Sequence, residues 1–160
     1  MKSQLNPDEY YKQLAKVPTS GGAFFRNKKG EFLIVKNHYR DAYTIIGGVT
    51  EKNETPREAV IREVKEELGI EMKQARLFCV DSAMSEPFDK ILFVFDGGIL
   101  DDHTIQKIIP NQDEIEKFIF VTYEKMLQII EPKFRKRTVN SIEAFHNKGF
   151  VYLENGEPIK

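Results

Sequence analysis

Apolar residues recur along the chain in short runs separated by turn-forming residues, and helical spacing is confined to a few stretches. Asn6-Pro7-Asp8 reads as a helix start with proline near the first helical position, leading into residues 9–15. Residues 23–26 and 32–35 are apolar runs on either side of Asn27-Lys28-Lys29-Gly30, which predicts two strands joined by a tight turn. A short extended piece over 43–46 ends at Gly47-Gly48. Residues 77–81 and 91–95 are two more short apolar strands, the second followed by Asp96-Gly97-Gly98, and residues 118–121 are another. Residues 123–130 and 133–147 have helical character, with Pro132 between them and Gly149 as a stop. Residues 150–153 suit a last short strand. Short strands interspersed with a few helices predict an α/β or α+β sandwich, and 160 residues suffice for one domain.

The most informative stretch is 55–68. Thr55-Pro56-Arg57-Glu58 has the form of a capping box, and Gly69 suits a left-handed C-cap. At about 100° per residue, Val60, Ile61, Val64 and Leu68 form one apolar stripe that predicts packing on the sheet. Glu63, Glu66 and Glu67 form a second face adjoining it, with the small Ala59 among them and Arg62 and Lys65 on the remaining arc. Glutamates at (i, i+3) and (i, i+4) repel one another and destabilise a bare helix. At ~5 Å and an effective dielectric of ~20, each such pair costs about 3 kcal/mol. A hard divalent cation such as Mg²⁺ or Mn²⁺ converts that repulsion into binding, because it favours carboxylate oxygens. A solvated acidic helix face is the plain alternative. The placement of the glutamates beside the buried stripe, and the diglycine ahead of the helix, which lets backbone approach a ligand closely, both favour the cation.

Gly48, five residues, Glu54, seven residues, then Arg62-Glu63-Val64-Lys65-Glu66-Glu67-Leu68-Gly69-Ile70 matches the Nudix box at each defining position. The chain therefore resembles the Nudix hydrolases, more loosely from Ala23 through Phe120. Tyr43-Thr44-Ile45-Ile46-Gly47-Gly48 resembles the family's entry to the box, with Ile46 in place of the usual proline and Tyr43 in place of the common tryptophan. The resemblance implies one domain over 1–160, an α/β/α sandwich with a mixed sheet and the box as loop-helix-loop. The segment 1–16 would be an N-terminal helical extension and 123–147 the C-terminal helices. It implies that Glu63, Glu66 and Glu67, with the Gly48 carbonyl, hold Mg²⁺ or Mn²⁺, and that a Glu54–Arg62 salt bridge orients the loop against the helix. The implied reaction is hydrolysis of a phosphoanhydride bond in a nucleoside diphosphate linked to another moiety. The general base is Glu63 or Glu67 within the box, or an acid of a later loop. Asp113, Glu114 and Glu116 lie in position for that, and Glu114 is preferred. A protein of this fold that binds or senses a nucleotide without cutting it is the alternative function, although such a protein would be expected to have lost a box glutamate.

Composition adds mostly exclusions. The formal net charge of −1 supplies no field to hold a nucleic-acid backbone, so DNA is not an expected partner, and the resemblance implies a small nucleotide-type substrate. Lys133, Arg135, Lys136 and Arg137 read as a solvated helix face; a scaffold that meets an acidic partner through them ranks last. No apolar stretch approaches the ~20 residues of a bilayer span, and residues 1–16 lack a signal-peptide core. The single cysteine, Cys79, sits in an apolar run as a buried hydrophobe, so a reducing, cytoplasmic setting is expected. Arg26, Lys36, Arg40 and Lys90 are candidate phosphate contacts, and Tyr43 and Phe88 candidate base-stacking residues. The three histidines have no ligand spacing, and Ser20, Ser82 and Ser85 have no His/Asp partner pattern. Residues 1–16 could also mediate a homodimer.

Overall fold

The computed structural model describes residues 6–84 and 89–159. Phe88, one of the stacking candidates, lies outside them. In chain order the elements are α1 (Pro7–Gln13), β1 (Thr19–Arg26), β2 (Phe32–Asn37), β3 (Ile46–Val49), α2 (Pro56–Leu68), β4 (Arg76–Ala83) and β5 (Lys90–Ile99). There follow α3 (Asp102–Gln106), β6 (Ile115–Val121), α4 (Tyr123–Ile129), α5 (Pro132–His146), β7 (Val151–Glu154) and β8 (Glu157–Pro158). The strands form one mixed sheet in the order β6-β2-β1-β5-β4-β7-β8, with β3 paired to β1. β1 runs parallel to β5 and antiparallel to β2 and β3.

Alternation along the strands divides the core in two. Ala23, Phe25, Leu33, Val35 and Phe95 face one side, where Val60, Val64 and Leu68 of α2 cover them. Phe24, Phe32, Ile34, Phe78 and Val94 face the other, under Met126 of α4 and Phe145 of α5. A residue period of two thus supplies both faces of a sheet sandwiched between helices, an α/β/α arrangement. The Phe145 ring lies 5.5, 5.6 and 5.2 Å from those of Phe24, Phe32 and Phe78, so one aromatic cluster anchors α5 to the sheet.

Three expectations change. The extended piece does not end at the diglycine: Gly47 and Gly48 lie inside β3, opposite Gly22 and Gly21 of β1. Glycine's weak strand preference hides this from the sequence. Yet a side chain at Gly47 would strike the β1 backbone, and its φ of 139° suits glycine alone. The short α3 and β8 were not foreseen. The basic run on α5 is not uniformly solvated, because Arg137 is buried and bonded to Asp81 of β4 at 2.5 Å. One residue step rotates a helix by about 100°, enough to split such a run, and α5 turns Arg137 and Thr138 inward together while Lys136 stays exposed.

Candidate active site

α2 begins and ends as its sequence dictates. Thr55 accepts from the Glu58 N–H, Glu58 accepts from the Thr55 N–H, and Gly69 caps the C-terminus at a φ of 71°. The helix is therefore fixed in length, and its acidic face is fixed in direction. Ala59 and Glu67 are both buried with the apolar stripe, whereas Glu66 is exposed. The second face of the helix is thus split between the interior and solvent.

One ligand atom from each of Glu63, Glu67 and Glu114 lies within 4.8 Å of the others. Glu66 is not part of this group; its carboxylate accepts from Arg62 Nη1 at 2.9 Å. Glu114 is brought in by backbone bonds. The Ile109 and Asn111 N–H groups donate to the Leu68 and Glu67 carbonyls at the end of α2. The Asn111 carbonyl then accepts from Glu114 N–H, and the His38 N–H donates to the Glu114 carbonyl at 3.1 Å. The loop is clamped between α2 and the end of β2. Of the three candidate acids Asp113, Glu114 and Glu116, only Glu114 joins the cluster; Glu116 lies within β6 and pairs with Lys36 at 2.7 Å.

The electrostatics of the cluster are unbalanced. Glu67 is 4% exposed, yet its carboxylate receives only two long bonds, from Asn37 Nδ2 at 3.5 Å and from the Gly47 N–H at 3.3 Å. Burial and the charges of Glu63 and Glu114 push the Glu67 carboxyl up to about 8. Burial also raises Glu63, against the pull of Arg62. The buried Asn37 Oδ1 has no hydrogen-bond partner. The three carboxylates offer an all-oxygen donor set of the kind that suits a hard divalent ion. Gly48 lies directly against Glu63, since a side chain there would overlap the Glu63 carboxylate. That contact requires the glycine for its size alone.

Arg62 ties the surrounding loop down. It donates to both oxygens of Glu54 at 2.9 and 3.1 Å, to Glu63 at 2.9 Å and to the Val49 carbonyl at 3.1 Å, in addition to Glu66. These bonds hold Glu54 well below the ordinary carboxyl value. The loop between β3 and α2 is thereby locked to the acidic helix.

A cavity of about 160 Å³ opens on the α5 side of the sheet, and its rim includes Asn37, which donates to Glu67, and Gly47-Gly48. Phe24, Ile45, Leu92 and Phe134 give it apolar walls, and the buried Ser20 hydroxyl in its lining has no partner. Of the five candidate substrate contacts among the described residues, Arg40 and Lys90 line this cavity. Arg26 lies 4.5 Å over the Phe145 ring instead, Lys36 is taken by Glu116, and the half-buried Tyr43 packs against the core cluster that includes Met126 and Ile130. Asn37, Phe134 and Arg137 are lining residues that sequence reasoning passed over. An isolated amide, aromatic or salt-bridged arginine carries no spacing signal.

The NUDIX domain family profile matches residues 17–144. The chain is 41% identical over 56 residues to an RNA pyrophosphohydrolase of Hydrogenovibrio crunogenus, covering 35% of this chain and 34% of that protein. It is 32% identical over 111 residues to the NAD-capped RNA hydrolase NudC of Photobacterium profundum, covering 66% of this chain and 38% of the other. The chain thus spans little more than a third of the length of these relatives. It also superposes on the crystal structure of a MutT protein from Methanosarcina mazei Go1 with a TM-score of 0.66 and 27% identity, covering 85% of this chain and 98% of that one.

Proposed function

Because the chain belongs to the NUDIX domain family, we propose that it is a pyrophosphohydrolase that requires Mg²⁺ or Mn²⁺ and cuts a phosphoanhydride bond in a nucleoside diphosphate linked to another moiety. The observation that carries this reading is the convergence of Glu63, Glu67 and Glu114 beside the diglycine, whose other side lines a cavity. The names of the two relatives, an RNA pyrophosphohydrolase and an NAD-capped RNA hydrolase, support a hydrolytic reaction on a nucleotide-linked substrate.

Glu63 and Glu67, with the Gly48 carbonyl, would hold the cation, and Glu66 would join them by exchanging its bond to Arg62 for the ion. A bound divalent ion would neutralise diphosphate oxygens and lower the pKa of an attacking water. Glu114 is the solvent-facing carboxylate of the cluster. Its place within reach of the other two lets it accept the proton that the attacking water loses, the general-base role. Glu54 and Arg62 position Glu63 without touching substrate. Asn37 spans the two regions: it lines the cavity and donates to Glu67.

The test is a panel of nucleoside diphosphate derivatives incubated with Mg²⁺ or Mn²⁺, scored for phosphate, pyrophosphate and nucleoside monophosphate. The expected product is a nucleoside monophosphate with the complementary phosphorylated fragment, lost with Glu67→Gln. Glu114→Gln is expected to lower kcat and leave metal affinity in place. Full turnover by Glu67→Gln would overturn the mechanism. Tight Mg²⁺-dependent nucleotide binding without hydrolysis would favour a sensing module.

A further inference from the structure

The cavity has a cationic far side that the hydrolytic reading does not use. Four cations surround one aromatic ring: Arg40, Lys90, Lys133 and Arg137 lie 5.9, 5.9, 5.2 and 5.6 Å from the Phe134 centroid. Two carboxylates serve them. Glu131 pairs with both Arg40 and Lys133, and Asp81 pairs with Arg137. Among the described residues, Lys90 has no carboxylate within ion-pair distance. A ring offers two faces to cations, and each cation–π contact is worth only ~0.5–2 kcal/mol. The excess positive charge is therefore uncompensated among the described residues. Burial and the three neighbouring cations push the Lys90 ammonium below its ordinary value, as expected for a cation short of an anion.

Position separates this cluster from the scissile bond. In the sheet Gly48 aligns with Gly21 and, across β1, with Phe93; Lys90 lies three residues before Phe93. Two strand spacings across and three residues along place Lys90 about 14 Å from Gly48, Cα to Cα. The Lys90 ammonium sits by Phe134, on the α5 side, and so is directed away from the acidic centre. One diphosphate is too short to reach both. Of the apolar walls, Leu92, aligned with Ser20, lies between them in the register.

We propose that the cations around Phe134 form an anion subsite, so that the preferred substrate carries a second anionic group, phosphate or carboxylate, at the end remote from the bond that is cut. This rests on the hydrolytic reading of the acidic cluster and narrows its substrate class. Charged groups that neutralise such a cluster give selectivity as well as affinity.

Matched pairs that differ in the remote anion test it. NADPH against NADH and coenzyme A against its dephospho form vary a phosphate. UDP-glucuronic acid against UDP-glucose varies a carboxylate. Both kcat/KM with Mg²⁺ and Kd by calorimetry with Ca²⁺ are measured for wild type, Lys90→Gln and Lys90→Arg, each first checked by thermal unfolding. In at least one pair the anionic member is expected to be favoured by roughly tenfold or more. That ratio should fall to within about twofold in K90Q, persist in K90R, and shrink as salt rises. The pair that shows it identifies phosphate or carboxylate. A ratio near one in every wild-type pair, or a ratio unchanged in K90Q, overturns the subsite. A calorimetric preference lost in K90Q with no hydrolysis of any compound would keep the subsite and overturn the hydrolytic reading instead.

Discussion

Replacing Glu67 by glutamine should stabilise the metal-free protein at alkaline pH. Glu67 is buried, and its two hydrogen bonds are long. Its carboxyl is pushed up to about 8 from the ordinary 4.5, first by burial and then by Glu63 and Glu114. The folded state therefore holds a proton that the unfolded chain has released between those two values, and stability falls as pH rises through that window. Below about 4.5 both states hold the proton, and no penalty exists; above about 8 the penalty is complete. At about 1.4 kcal/mol per unit it reaches roughly 4–5 kcal/mol. For a chain of this size that is ~10 °C or more in Tm. The assay is thermal unfolding of wild type and E67Q at pH 5 and pH 8.5, in chelator and in Mg²⁺. In chelator the two proteins should melt alike at pH 5, and E67Q should melt higher at pH 8.5. Mg²⁺ should raise wild type at pH 8.5 and leave E67Q nearly unmoved, because the cation takes the place of the lost proton. An E67Q protein less stable than wild type at pH 8.5 without metal would refute the reasoning, as would an equal Mg²⁺ response in both.

Three further outcomes follow from the same geometry. Arg62→Ala removes the bonds to Glu54, Glu63 and the Val49 carbonyl, and should cost about 2–4 kcal/mol in urea unfolding together with metal affinity; an Arg62→Ala protein with unchanged metal affinity would show that the loop is held by other means. Gly48→Ala should weaken Mg²⁺ binding by at least ~tenfold, because the new methyl overlaps the Glu63 carboxylate; calorimetry with unaltered affinity would contradict the proposed contact. Phe145→Ala should cost about 3–5 kcal/mol without altering metal affinity, since it empties the aromatic cluster under α5 and lies remote from the acids; a denaturant midpoint close to wild type would place the cluster outside the cooperative core.

Local features of the chain were readable from sequence, and contacts across it were not. The start, stop and two faces of α2 depend on spacings of three and four residues, and the structure realises Thr55, Glu58 and Gly69 in those capping roles. The sheet–helix layering followed from short alternating strands. Spacing placed three box glutamates on one face, but it could not say that Glu66 would turn to Arg62 while Glu67 went inside, because the packing partner of the helix decides that. Glu114 stood among three similar acids, and the Asn111 turn, docked on the end of α2, selects it. The inward turn of Arg137 depends on Asp81, 56 residues earlier. Asn37 acquires its place only when β2 is laid beside the diglycine strand. Each of these is a long-range pairing between residues that are unremarkable singly.

The most direct measurement is the anomalous-difference density of crystals grown with Mn²⁺. A peak bounded by carboxylate oxygens of Glu63 and Glu67, absent from crystals of E67Q, is the expected result. Well-ordered side chains at Glu63, Glu67 and Glu114 with no peak between them would contradict the account.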